Sequence, residues 1–182
     1  MRDGKKKRKK QEEAPCPRRA AWAEIYDLAA QGKVDELVRR KRADPKVLEN
    51  NAGLWGETPL HYAAIENDMV TVRSLAAAGA NVNAQDEFGA HVLASVVSIA
   101  KEAADADRRE MVALLLELGA SPWAEMPHYG MCCYHYVNRD EYADRSGRVA
   151  LRALFAKFTP TESGHEKCAA TLELFKDVEF EF

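Results

Sequence analysis

Apolar residues in the middle of the chain fall into short blocks with helical spacing. In "PLHYAAI", Leu60, Ala63 and Ala64 fall on one face. That is the i, i+3, i+4 spacing of an amphipathic helix, and small alanines let a second helix approach closely. A second block, "MVTVRSLAAAGA", sets Val72 and Leu75 on one face and closes with Gly79-Ala80. The same two blocks return downstream. Leu93, Val96 and Val97 repeat the first, and Val112, Leu115 and Gly119-Ala120 repeat the second. Gly56 and Gly89 lie 33 residues apart, and the second unit carries about seven extra residues around "KEAADAD". A third copy starts at Gly130, where "GMCCYHYVN" overlays "GETPLHYAA" and His135 falls on His61. Its second helix is "SGRVALRALFAKF", with Leu151, Leu154 and Phe155 on one face. Upstream, Leu28 and Ala29 stand for the small pair and Leu37 opens the second helix of a degenerate first copy.

A fixed period of this length is the signature of stacked repeats, each unable to bury its apolar face alone. With "TPLH" at 58–61 and a closing Gly-Ala, the chain resembles the ankyrin repeat family over roughly residues 21–158. The resemblance implies an all-α solenoid of helix-turn-helix repeats, about four helix pairs with a capping helix at the C-terminal end. The expected organisation is a disordered basic arm at 1–20 and a repeat domain at 21–158. Within that domain the units are a degenerate cap repeat at 21–52, a repeat at 53–85, a repeat with an insertion at 86–124 and a degenerate repeat at 125–158. Residues 159–182 are expected to hold the capping helix, with Cys168, Leu172 and Phe175 on one face, and the acidic-aromatic tail "DVEFEF". The insertion, residues 98–109, is expected to lengthen the inner helix or the connection after it.

The Thr58–His61 pair has the residue types of a nucleophile and its base. A structural role fits better, because no third orienting group or oxyanion site accompanies it. Thr58 suits a helix cap and Pro59 the first helical position. Gly79 and Gly119 each follow a helix, where a left-handed cap favours glycine. The resemblance implies that His61, and His135 in the third unit, tie neighbouring loops together. The motif residues of the array are therefore Thr58, Pro59, Leu60, His61, Gly79, Gly119 and His135.

Other chemistry is thin. His128, Cys132, Cys133, His135, His165 and Cys168 include no C-x-x-C pair, and adjacent cysteines rarely ligate one tetrahedral ion together. No catalytic residue, metal or cofactor is expected. The four cysteines, Cys16, Cys132, Cys133 and Cys168, form no ladder of a small secreted scaffold and fit reduced thiols. No apolar run approaches the ~20 residues that span a bilayer. The basic N-terminus leads into no apolar segment, so an intracellular, cytoplasmic location is expected, nuclear if the setting is eukaryotic.

Charge divides the chain. Residues 1–20 carry nine Lys/Arg against three acidic residues, and the net charge of −3 leaves −9 for the remainder. The run Lys5, Lys6, Lys7, Arg8, Lys9 and Lys10 suits import or a polyanion, but no aromatic interleaves it for base stacking.

Aromatics recur before the loop glycines: Trp55, Phe88 and Tyr129. Large apolar side chains in register at exposed loop tips suit a contact stripe. The family's usual contact positions fall on Leu54, Trp55, Glu57, Ile65 and Glu66 in the first full unit. In the second they fall on Glu87, Phe88, Ala90, Ser98 and Ile99, and in the third on His128, Tyr129 and Met131. The resemblance thus implies a non-catalytic, monomeric adaptor that binds a protein partner through its groove. The alternative is nucleic-acid or anionic-surface association led by the basic arm.

Overall fold

A computed structural model of the chain describes residues 17–99, 106–126, 130–138 and 146–158. Helices come in pairs: α1 (Pro17–Ala30) with α2 (Val34–Ala43), and α3 (Pro59–Ile65) with α4 (Met69–Ala77). They continue as α5 (Val92–Ile99) with α6 (Ala106–Glu117), and α7 (Cys133–Asn138) with α8 (Ser146–Phe158). First helices stack in the order α1, α3, α5, α7, while α2 packs on α4 and α6 on α8. A single 3-10 turn, Val47–Glu49, buries Leu48 beside α1 and α2.

Local sequence sets the ends of these elements. The Thr58 side chain accepts the His61 N–H at the start of α3, and Pro59 fills the first turn, where no backbone donor is needed. Asp68 does the same for α4, accepting the Thr71 N–H at 3.0 Å. Gly79 and Gly119 end α4 and α6 with φ of 86° and 93°, a region costly for a side chain. In both, the glycine N–H and the following alanine N–H reach back to helix carbonyls, as with Ala80 to Leu75 and Ala120 to Leu115, each at 2.9 Å.

The periodic residues form one continuous core. Leu60, Ala63, Ala64, Val72, Leu75, Leu93, Val96, Val97, Val112, Leu115, Leu151 and Phe155 are all buried. In the degenerate first unit Ile25, Ala29 and Leu37 are buried, while Leu28 is only half-buried. Helix α1 begins at Pro17, inside the stretch assigned to the basic arm, because Arg18 bonds Asn50 and Asn51 and ties the first turn down. Pairs are joined by projecting turns. Gly53 N–H bonds Glu57 O at 3.1 Å, and 33 residues on Asp86 N–H bonds Ala90 O at 3.0 Å. The next turn is a hairpin of β1 (Glu125–Met126) and β2 (Met131–Cys132), paired antiparallel with Glu125 opposite Cys132. These two-residue strands are the sheet content of the described residues.

The insertion straddles the described segments. Its ends lie in α5 and α6, and Arg108 near the start of α6 donates to the Ile65 carbonyl at 2.9 Å, joining two repeats. Residues 100–105 lie outside the described residues, as do 1–16 and the capping helix and tail expected at 159–182.

Candidate functional site

The two described loop tips each hold an aromatic on a carboxylate. Trp55 N–H donates to Glu57 Oε2 at 2.8 Å. Asp86 Oδ1 accepts both Phe88 N–H at 2.8 Å and Ala90 N–H at 2.9 Å. These bonds fix the turns, so both rings project from rigid backbone. Trp55 is 62% exposed and Phe88 50% exposed, with ring centroids 6.4 Å apart and planes tilted by 46°. The tips touch directly below the rings. At Gly56, with φ of 73°, an added Cβ would lie 2.1 Å from Glu87 Cγ.

Behind the tips lies a cavity of about 500 Å³ opening onto the first helices of two repeats. Of the expected contact residues, Trp55, Glu57, Ile65, Phe88, Ala90, Ser98 and Ile99 line it together. Leu54, Glu66 and Glu87 are exposed outside its lining, and Met131 is half-buried against the core. His128 and Tyr129 lie outside the described residues. Asp86, Ala94, Ser95 and Met126 complete the wall and were not anticipated. Ser95 was within reach of the repeat register, since it stands 33 residues after Tyr62 on the inner-helix face.

A second aromatic group was also missed. Trp22 and Tyr26 stack at 5.8 Å, and Tyr62 meets both edge-on at 5.4 and 5.3 Å. Trp22 Nε1–H donates to the Glu57 carbonyl at 3.0 Å, which joins this group to the base of the Trp55 turn. Tyr62 is three residues before Ile65 on α3, so it shares the face that lines the cavity. The i, i+4 spacing of Trp22 and Tyr26 was the available signal. Burial raises the Tyr26 phenol pKa above its ordinary value, helped by the charges of Asp68, Glu66 and Asp27 and by neighbouring Tyr62.

The Thr58–His61 pair is spent on structure. His61 is fully buried. Its Nδ1 lies 2.9 Å from Thr58 Oγ1, and its Nε2 lies 3.2 Å from the Ala90 carbonyl of the next turn. The carbonyl requires the proton on Nε2, which leaves Nδ1 to accept from Thr58. Burial lowers the His61 pKa, so this neutral tautomer is the stable form. In the third unit Cys132 Sγ stands 3.2 Å from His135 Nδ1, taking the place of the Thr58 hydroxyl. Cys133 is free and buried, and burial pushes its thiol far above its ordinary pKa, which removes it as a nucleophile. Cys132 departs from the expectation of four reduced thiols: it is disulfide-bonded, to a partner outside the described residues. Among the described residues, no group of three or more His, Cys, Asp or Glu side chains is placed to hold a metal ion. No helix among them is long and apolar enough to cross a membrane.

A solved ankyrin repeat domain from Acinetobacter baumannii is similar at 24% identity with a TM-score of 0.47. That likeness covers 73% of this chain and 62% of the other, so this chain spans less than two thirds of its length. Residues 25–126, more than half of the chain, match the family described as ankyrin repeats (3 copies). The helix pair α7–α8 lies beyond the matched region and continues the same stacking. With that match over half the chain, on top of paired helices at a 33-residue period, the chain belongs to the ankyrin repeat family.

Proposed function

We propose that this protein is a non-catalytic interaction module that binds a protein partner in the groove between its loop tips and inner helices. Ankyrin repeats generally serve protein–protein interaction, which sets the class. The observation that carries the groove reading is the Trp55–Phe88 pair. Two large rings are held exposed, on turns stiffened by Glu57 and Asp86, over a cavity of about 500 Å³. Exposed rings gain little for folding, whereas aromatic anchors in a cavity dominate interface energetics.

The test compares the full chain with a Trp55→Ala, Phe88→Ala double variant as bait. A protein held by the first and lost by the second is then titrated against both. A true anchor pair costs at least ~2 kcal/mol in binding while the fold is retained. Equal affinity for both baits would move the interaction surface elsewhere. The competing reading, polyanion contact by Lys5 to Lys10, is supported by the charge run alone. It predicts binding that survives the double variant and falls steeply with salt.

A further inference from the structure

We propose that the groove receives a basic side chain, a Lys or Arg on an extended segment of the partner, seated against Trp55 and Phe88 with Glu57 and Asp86 as its counter-charges. This rests on the interaction-module reading and names the chemistry of the partner.

Ring geometry comes first. Planes tilted by 46° with centroids at 6.4 Å form an open V, not a closed stack, so ring faces stay available to a guest. Ring faces attract cations. An apolar anchor would fit the rings as well, so the charges decide. Glu57 and Asp86 line the same cavity, and no Lys, Arg or His does. Each carboxylate is already oriented through one oxygen: Glu57 Oε2 by Trp55 N–H, Asp86 Oδ1 by Phe88 and Ala90 N–H. Among the described residues no donor meets the other oxygen of either. An apolar guest would strip water from both carboxylates and give nothing back, whereas a guanidinium or ammonium would pair with them. The same pairing of rings and acids recurs one repeat away. Trp22, Tyr26 and Tyr62 adjoin the cavity through the face of α3, and Glu66 and Asp68 lie near enough to act on the Tyr26 phenol. A segment with several spaced basic residues is therefore the best match.

The probe is an acetylated, amidated peptide with three lysines separated by Gly-Ser, titrated into the ¹⁵N-labelled full chain. The Trp55 indole N–H signal is assigned from Trp55→Ala. The lysine peptide and its arginine counterpart should shift that signal with one dissociation constant. Replacing every lysine by norleucine, which keeps the aliphatic stem and drops the charge, should weaken binding at least about tenfold. Glu57→Gln should weaken it several-fold, with an unchanged melting temperature. The proposal is overturned if norleucine binds as well as lysine, if Trp55 does not respond, or if the Trp55→Ala, Phe88→Ala variant binds lysine undiminished. It is overturned too if replacing Lys5 to Lys10, Arg8 included, by glutamine shifts Trp55 before any peptide is added, because the occupant would then be the chain's own arm. The two readings fail differently. A partner that depends on Trp55 and Phe88 but ignores the lysine-to-norleucine change sinks only the basic guest. A partner indifferent to both rings sinks the groove itself.

Discussion

Replacing Thr58 by Val keeps the shape of the side chain and deletes one hydroxyl. That hydroxyl caps α3 by accepting the His61 N–H at 3.4 Å and meets His61 Nδ1 at 2.9 Å. Losing a cap of this kind costs about 0.5–2 kcal/mol. Leaving a buried acceptor without its short partner costs about 1–3 kcal/mol. The two losses share atoms and do not fully add. The Thr58 N–H still faces Nδ1 at 3.4 Å and softens the second. The net expectation is about 2–3 kcal/mol, or a fall in melting temperature of roughly 5–12 °C for a chain of this size. Thermal melting followed by circular dichroism at pH 7.5 reads it directly. Thr58→Ser keeps the hydroxyl and should stay within about 1 kcal/mol of the parent. A Thr58→Val protein that melts with the parent would refute the reasoning. So would a Thr58→Ser protein as weak as Thr58→Val, since the missing methyl would then be the cause.

His61 gives a pH dependence. Burial lowers its folded pKa, so below about pH 6.5 the unfolded chain holds a proton that the folded chain refuses. Stability should fall as pH drops through that region, by up to about 1.4 kcal/mol per unit, and His61→Gln should flatten the profile in urea unfolding between pH 7.5 and 5.5. Gly56→Ala combines a left-handed backbone with a collision against Glu87 and should cost at least ~1 kcal/mol. Adding Glu87→Gly should return part of that loss, and strict additivity of the two changes would argue against the tip contact. Trp55→Ala or Phe88→Ala alone should alter stability by under about 1 kcal/mol, because both rings are at least half exposed. A collapse of the melting temperature would make the pair internal bracing.

The repeat was legible because packing imposes it. Leu60 and Leu93 must each fill the same gap between stacked neighbours, so the spacing survives where other residues drift. The third unit was legible for a chemical reason, since Cys132 keeps a polar atom beside His135 where Thr58 has its hydroxyl. The tip aromatics could be found because they precede a glycine whose backbone the turn requires. Trp22 and Tyr26 could not be placed, because the first unit has lost the motif that sets its register. Asp86 reads in sequence as one more surface acid. Only the folded turn shows it holding two backbone N–H groups at the mouth of the groove. Met126 reaches the cavity from the following hairpin, a contact that no local pattern encodes.

Trp55 and Phe88 belong to different repeats, and the cavity wall is shared between α3, α5 and the turns before them. A guest lodged there is a rivet across a seam. Solenoids unravel from their ends, one unit separating from the next. With the seam riveted, neither side can peel away without first ejecting the guest. The work of ejection is set by its affinity and its concentration. Occupancy would therefore slow amide hydrogen exchange in α3 and α5 together, turning two units that loosen separately into one that opens as a block.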